Sequence, residues 1–372
     1  QGRFVAGATT IDALFDNTGV FVAAAGTNQI RNLLQFSDGE LTGGTYQVLP
    51  GATLLIGSGN LQKNMADVTL AGGTAQFPSL GDLLQNAGDL TYIEEAVYQN
   101  TAEFFFNSET GSITLDDASA TFNILSFAGG SLTALNNSSL SAEELNIQSG
   151  ASMRVDDSTI EADEVNNDGT FNIGNSPGSA TIDGNYSQTG TLEMEIGGLV
   201  PSVDHDLLEI TGSAQLGGIL EVTGLDLGSY SPAAGDGFTL LTSANPIQGS
   251  FDVANYPTSV GGFYVTWDPV DYSNNQVSLE IANVGFLQAD FDNDFDVDQD
   301  DLTNWQSGYG ISASATHMVG DANGDLTVDG SDFLIWQRQL FSGGGSSITA
   351  TPEPATWITL LMGTAACMCR RF

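Results

Sequence analysis

Apolar and polar residues alternate in short runs through most of the chain, from its start to about Ala282. The runs are separated by Gly, Asn and Asp. Ile113 with Leu115, and Phe171 with Ile173, show the alternation clearly. Because successive side chains of a strand point to opposite faces, this pattern predicts short strands that each bury one face.

Glycine marks a period in the middle of this region. Five glycines each open an alternating run, and the steps between them are 19, 20, 19 and 21 residues. Repeats of this length are too small to bury a core alone, so they predict the stacked turns of a solenoid. A parallel β-helix is the favoured fold and a β-sandwich is the alternative. Residues 78–110 interrupt the period, with a bulky cluster at 104–106, which indicates irregular turns or an insertion. The five glycines are Gly111, Gly130, Gly150, Gly169 and Gly190.

Pairs of Asp or Asn follow three of the predicted strands, at 116–117, 136–137 and 156–157. Such residues support turns, because their side chains hydrogen-bond to the nearby backbone. Farther on, from Gly174 to about Phe251, the Gly- and Thr-rich sequence resembles the passenger repeats of autotransporter β-helices. That resemblance implies the same parallel β-helix.

A different pattern lies downstream, where one acidic sequence occurs twice with an offset of 31 residues. Both copies place oxygen-bearing side chains at positions 1, 3, 5, 7, 9 and 12 of a 12-residue loop. Calcium takes six to eight oxygen ligands, and a loop of this kind supplies them from these positions, using the backbone carbonyl at position 7 and often water at position 9. We therefore predict two bound Ca²⁺ ions. The candidate ligands are Asp290, Asp292, Asp294, Asp296, Asp298 and Asp301 in the first loop, and Asp321, Asn323, Asp325, Thr327, Asp329 and Asp332 in the second.

Carboxylates crowded into one loop repel one another without a metal, so we expect calcium binding to be coupled to folding. A solvated acidic run is the alternative interpretation. However, such a run does not require the Trp-Gln pair that follows both loops, at 305–306 and 336–337.

A calcium loop followed by one helix, and then duplicated, resembles the type I dockerin module over about Phe286 to Phe341. The resemblance implies a small all-α module that docks onto a cohesin-like protein in a calcium-dependent manner. This chain differs at loop position 6, usually Gly, which is Phe295 and Leu326, and it lacks the Ser-Thr pair of cellulosomal dockerins. By the same resemblance, the residues near the partner would be Gln299, Asp300, Gly330, Ser331 and Arg338.

The chain ends in an uncharged run of 15 residues, Ala355 to Cys369, followed by two Arg. As a helix this run spans roughly 22 Å, short for a bilayer core of about 30 Å. A Pro-Glu-Pro motif precedes this run, and the order of motif, apolar helix and basic end resembles the PEP-CTERM sorting signal. That family implies a transient inner-membrane anchor, removal of the tail by an exosortase, and delivery to the cell surface or extracellular matrix. A plain tail anchor is the alternative. The sorting motif is Pro352, Glu353 and Pro354.

The composition is strongly acidic, with 7 basic and 46 acidic residues and a net charge of -39. A phosphate backbone would be repelled, which argues against nucleic-acid binding. Cys367 and Cys369 both lie in the apolar tail, so the body of the protein has no disulfide. A single Lys among abundant Gly, Asn, Ser and Thr suits an exported protein.

The sequence contains only weak evidence for catalytic residues. Residues 174–178 match the G-x-S-x-G elbow, but Pro177 follows the serine and has no N–H for an oxyanion hole. His205 has no second imidazole near it in the sequence, and it indicates a local role in a loop. Glu193 and Glu195 share one strand face, as a glycosidase pair would, but solvent-facing Glu is the commoner reason for this pattern.

We therefore predict an all-β parallel β-helix, then the small helical module and a C-terminal transmembrane sorting helix. The predicted function is an exported, non-enzymatic surface or matrix protein with calcium-dependent docking, and exopolysaccharide is a further possible partner. The alternative is a polysaccharide-degrading enzyme or accessory recruited by its dockerin. The predicted domains are the β-helix at 1–285, the calcium module at 286–341, the linker at 342–351 and the sorting signal at 352–372.

Overall fold

The computed structural model describes residues 2–57, 59–108, 110–174, 177–225, 230–260, 263–292, 294 and 296–340. The predicted parallel β-helix is confirmed, and the sandwich alternative is wrong. One sheet runs the length of the solenoid, and neighbouring strands along it are parallel. Its strands are Arg3–Gly7, Val20–Leu33, Thr45–Val48, Asp67–Ala71, Asp89–Ile93, Ser112–Asp116, Ser131–Leu135, Ser152–Val155, Thr170–Ile173, Thr191–Ile196, Ile219–Gly224 and Val253–Asn255, and Thr10–Phe15 and Ala52–Ile56 pair with the far half of Val20–Leu33.

A second sheet faces the first across the core. Three of its strands are long and pair with one another, with Ser158–Asn167 in the middle. Ser139–Ile147 also pairs with two shorter strands of the preceding turn, and Ser179–Gln188 pairs with two shorter strands of the following turn. The strands of this second sheet are Phe36–Ser37, Glu40–Leu41, Lys63–Asn64, Gln85–Asn86, Val97–Gln99, Phe104–Asn107, Ser119–Thr121, Ile124–Phe127, Ser139–Ile147, Ser158–Asn167, Ser179–Gln188, Leu207–Ile210, Ala214–Leu216, Gly237–Ser243 and Gln248–Gly249.

The glycine period corresponds to strands of the first sheet. Each periodic glycine lies one or two residues before a strand, and the first inward-facing residue of each strand aligns with the next. All five aligned side chains are at most 1% exposed. Apolar residues therefore stack in a column at the strand spacing of about 4.8 Å. The column contains Ile113, Leu132, Met153, Phe171 and Leu192.

The paired Asp and Asn residues lie in the turns, as predicted, except that Asp116 is the last residue of its strand. Asp117, Asn136, Asn137 and Asp157 have φ between 46° and 62°, the left-handed region that Asn and Asp tolerate better than other non-glycine residues. Residues 78–110 are irregular turns rather than an insertion, because Asp89–Ile93 continues the first sheet in register.

Asparagine forms a buried ladder inside the solenoid, which the alternation did not predict. Asn64, Asn86 and Asn107 are fully buried and occupy one aligned position on successive turns. The Nδ2 of Asn64 donates to the Oδ1 of Asn86 at 2.9 Å, and the Nδ2 of Asn86 donates to the Oδ1 of Asn107 at 2.9 Å. Each amide satisfies the next, which removes most of the penalty for burying it.

Antiparallel pairing ends the solenoid, whereas the sequence predicted parallel turns throughout. Ser259–Val260, Phe263–Trp267 and Gln276–Phe286 pair antiparallel, and the last of these also pairs antiparallel with Gly237–Ser243. Two helices follow, α1 at Gln299–Gly308 and α2 at Gly330–Gln339. Short 3-10 turns occur at Pro78–Leu80 and His317–Val319.

We predict that Asn86→Ala lowers the free energy of unfolding of the solenoid by about 2–4 kcal/mol, because it removes the donor to the buried Oδ1 of Asn107 and one acceptor of the buried Nδ2 of Asn64. Denaturant unfolding of the full chain measures this change. Asn60→Ala is the matched control, since Asn60 is exposed and bonds Asp82 at the surface. Equal losses in the two variants would contradict a stabilising role for the ladder.

Candidate metal centre

Each candidate loop ends by capping the helix that follows it. At α1, the Oδ1 of Asp298 accepts from the N–H of Asp300 at 2.7 Å, and the Oδ2 of Asp301 accepts from the N–H of Asp298 at 2.8 Å. The equivalent contacts at Asp329 and Asp332 have the same lengths. These are capping boxes, in which two side chains satisfy the free N–H groups of a helix start. Loop positions 9 and 12 therefore also fix where the helices begin.

The first and last positions of both loops are buried. Asp290 and Asp321 are 4% exposed, and Asp301 and Asp332 are fully buried. The Oδ1 of Asp301 accepts from the N–H of Phe291 at 2.6 Å, so the loop folds back onto its own last carboxylate. At the corresponding place Asp332 accepts from Ala322 at 2.9 Å. Buried carboxylates held by backbone N–H groups do not form a simple solvated acidic run.

Carboxylate oxygens converge in the first loop as two groups of three. In each group, one oxygen from every member lies within 4.8 Å of the others. Like charges this close raise the energy of the ionised form. The two groups are Asp290, Asp292 and Asp294, and Asp296, Asp298 and Asp301.

Burial and crowding raise the pKa values of three of these carboxyls. Burial, followed by the charge of Asp294, raises the pKa of Asp292. Burial and then the neighbouring carboxylates raise the pKa of Asp296 to about 6. Burial raises the pKa of Asp301 to about 7, against the lowering effect of its backbone hydrogen bonds. The Oδ1 of Asp296 is buried and has no hydrogen-bond partner among the described residues.

The second loop repeats the capping contacts of the first and carries less charge. Asp321 accepts from the N–H groups of Gly324 at 2.7 Å and Leu326 at 2.8 Å, which folds the loop around its first ligand position. Asn323 and Thr327 replace two of the carboxylates present in the first loop. Within the part of the chain that the structure describes, three carboxylates converge only in the first loop.

All candidate ligands in both loops are oxygens, which is the donor set that hard cations prefer. An ion among the carboxylates of the first loop would neutralise the charges that repel one another in its absence. The buried oxygen of Asp296, which has no hydrogen-bond donor among the described residues, suits such an ion. The donor chemistry of the first loop therefore fits a divalent cation.

Tryptophan side chains connect the two units through contacts that the sequence did not predict. The Nε1 of Trp305 in α1 donates to the backbone carbonyl of Asp329 at 3.0 Å, and the Nε1 of Trp336 in α2 donates to the carbonyl of Asp298 at 2.8 Å. The repeated offset predicted a tryptophan in each helix. A backbone acceptor carries no residue-specific signal, so the crossing contacts could not be predicted.

Comparison with protein-family models gives no match to this chain, and none is found among curated proteins. The metal site therefore stands on its own geometry. The predicted sorting motif Pro352, Glu353 and Pro354 and loop residue Phe295 lie outside the described residues. Among the residues that are described, no helix is long and apolar enough to cross a bilayer.

The residues that the dockerin resemblance placed near a partner are all exposed. Four of them occupy the first turns of the two helices, beside the ends of the loops. The fifth, Arg338, lies in the last turn of α2, where its Nε donates to the carbonyl of Leu334 at 3.1 Å. The four at the helix starts are Gln299, Asp300, Gly330 and Ser331.

The residues of the solenoid that were considered as catalytic candidates lie where they contribute to the fold. His205 is buried and its Nδ1 lies 2.9 Å from the carbonyl of Gly198 in the same loop. Glu193 and Glu195 are half-buried on the outer face of one strand. The neighbouring Asp206 accepts from the N–H groups of Gly178 at 2.8 Å and Glu195 at 2.7 Å, and burial raises its pKa to about 7. Asp206 thus ties a loop to the first sheet, a role the sequence did not indicate.

We predict that the calcium-free module loses stability as the pH rises. Asp296 and Asp301 have folded-state pKa values of about 6 and about 7, above the unfolded value of about 3.9. The folded state therefore binds more protons between pH 4 and 7, and its stability falls across that window. Thermal unfolding of the full chain in a chelator, followed by tryptophan fluorescence, measures this.

Asp296→Asn should remove part of that pH dependence. Asp300→Asn, which removes an exposed carboxylate outside the two groups, is the control for net charge. An unchanged slope in Asp296→Asn would contradict the explanation based on crowded carboxylates.

We predict that Leu326→Gly stabilises the second loop by about 0.5–1 kcal/mol. Leu326 has a φ of 65°, a conformation that costs a non-glycine residue about 1–2 kcal/mol, and part of the gain is lost to the greater freedom of glycine in the unfolded chain. Leu326→Ala is the control, because alanine keeps the backbone strain. Equal stability of the two variants in thermal unfolding would show that the strain is absent.

Proposed function

We propose that residues 286–341 form a calcium-dependent docking module on an exported, non-enzymatic β-solenoid protein. The observation that carries the proposal is the first loop, where buried and crowded carboxylates include an oxygen with no donor among the described residues. Without a bound ion, this arrangement of carboxylates is electrostatically unfavourable. A bound divalent cation removes the repulsion and orders the loop, whose last residues cap the following helix.

Calcium is the favoured ion for both loops. The spacing of ligand positions at 1, 3, 5, 7, 9 and 12 suits the six to eight oxygens of Ca²⁺. Magnesium requires a stricter octahedron and releases its water reluctantly, and zinc prefers nitrogen and sulfur ligands. The ligands in each loop would be the six side chains or carbonyls at those positions.

The docking role follows from the position of the exposed residues. Gln299, Asp300, Gly330 and Ser331 lie at the helix starts, which the loops hold in place. A cation that orders the loops would also order this surface, together with Arg338 of α2. A cohesin-like protein is the partner class that the dockerin resemblance suggests.

Export and sorting are the second part of the proposal. The Pro-Glu-Pro motif, apolar run and Arg pair occur in the order expected for an exosortase substrate. The processed chain would then be delivered to the cell surface or extracellular matrix, where exopolysaccharide is a possible neighbour. A solenoid with many acidic residues is soluble and resists self-association there.

Calorimetric titration of the full chain with CaCl₂ tests the metal site. We expect two sites that are lost in the double variant Asp290→Ala and Asp321→Ala, since each change removes a buried first ligand. Tryptophan fluorescence should change with the same midpoint, because Trp305 and Trp336 contact the loop ends.

Asp300→Ala is the control, because it removes one carboxylate outside the ligand positions and should retain both sites. If the double variant binds calcium as the natural sequence does, the ion is held by the general acidic surface and the proposal fails.

A further inference from the structure

The two loops are connected by a reciprocal pair of hydrogen bonds. The indole N–H of each helix donates to the backbone carbonyl at position 9 of the other loop, Trp305 to Asp329 and Trp336 to Asp298. The contacts are related by the internal duplication, and their lengths are 3.0 and 2.8 Å. Each loop end is therefore held by its own helix cap and also by the helix of the other unit.

The two carbonyls that accept the indoles also belong to the helix caps. The carbonyl of Asp298 receives the N–H of Leu302 at 3.4 Å, and that of Asp329 receives the N–H of Phe333 at 3.4 Å. These first helical bonds are long, so the shorter indole bond is the stronger contact at each carbonyl. The position of each loop end thus depends on the opposite tryptophan.

Further contacts join the same elements. The ring of Phe333 packs against Trp305 at 4.9 Å and Trp336 at 5.4 Å between ring centres, so one aromatic cluster serves both helices. Val328, at position 8 of the second loop, exchanges backbone hydrogen bonds of 2.9 Å with Gly310 and Ile311, the residues that follow α1. The second loop therefore packs directly on the segment that leaves the first unit.

We infer that the two loops bind calcium with positive cooperativity, and that the crossed tryptophans carry the coupling. This inference rests on the proposed calcium function and adds its regulation. An ion in one loop orders that loop, its helix and its tryptophan, which then holds the carbonyl at the end of the other loop. The second ion meets a loop whose ordering is already partly complete, so it binds more tightly.

The expected coupling is about tenfold in affinity, which corresponds to about 1.4 kcal/mol. That size matches the net contribution of one or two hydrogen bonds of this kind. Coupling of this origin is reciprocal, so a defect in either loop must weaken the other by the same factor.

The test is calorimetric titration of the full chain with CaCl₂ at physiological salt. Asp290→Ala leaves only the second loop, and Asp321→Ala leaves only the first, so each gives the affinity of one loop beside an empty one. The product of the two stepwise association constants of the natural sequence should exceed the product of these two single-loop constants about tenfold. An equal product would overturn the inference while the calcium function stands.

The route is tested with Trp305→Phe and Trp336→Phe together, which remove both N–H donors and keep aromatic rings. The tenfold ratio should fall to within about twofold of unity. Trp267→Phe is the matched control, because its indole also donates to a backbone carbonyl, that of Pro257 at 2.7 Å, but in the solenoid. That variant should retain the full ratio.

A double tryptophan variant that keeps the tenfold ratio would show that the coupling runs elsewhere. If the double variant does not fold, as judged by near-ultraviolet circular dichroism, Trp305→Phe alone removes one bond and should lower the ratio to about threefold. If no calcium site disappears in the Asp290→Ala and Asp321→Ala double variant, the calcium function itself is wrong.

Discussion

Stacking in register is the constraint on which this solenoid depends. Each turn places a side chain directly over that of the previous turn, so an interior position must be compatible with its neighbours rather than merely apolar. The column from Ile113 to Leu192 meets this requirement with buried apolar groups. The ladder from Asn64 to Asn107 meets it with amides that bond one another. Polar residues are tolerated inside the solenoid because the neighbouring turn supplies their partner.

The helical module at 286–340 has a different basis for its stability, because its two short helices enclose little apolar surface. Its cluster is small, centred on Phe291, Val297 and Trp336, and a single core in a domain this short rarely supplies more than about 3–5 kcal/mol of stability unless a metal or a disulfide is added. The body of the chain has no cysteine, and the module is held by buried carboxylates and crossed indoles instead. Under the proposed calcium function, the fold of the module and its affinity for a cation would both depend on the repulsion among these carboxylates.

The sequence predicted features that depend on side-chain type and spacing, and missed those that depend on the backbone. The glycine steps and alternation were sufficient for the solenoid, and the spacing of Asp and Asn was sufficient for the loops. The Asn86 ladder was missed because alternation treats an amide as outward-facing. The antiparallel end at Gln276–Phe286 was missed because strand direction leaves no mark on composition. The acceptors of Trp305 and Trp336 are carbonyls, which every residue has.

Because the module contains two copies of one loop, the effect of loop charge on cation affinity can be considered apart from the effect of loop structure. Both loops have the same caps, the same buried first and last carboxylates and the same indole contact, but the first has six carboxylates at its ligand positions and the second has four. The general acidity of the chain raises the local concentration of cations around both, yet screening limits that effect to about 8 Å at physiological salt. Under the proposed calcium function, a difference in affinity between the loops would therefore come from the ligands themselves, and the crossed indole hydrogen bonds would couple the two sites.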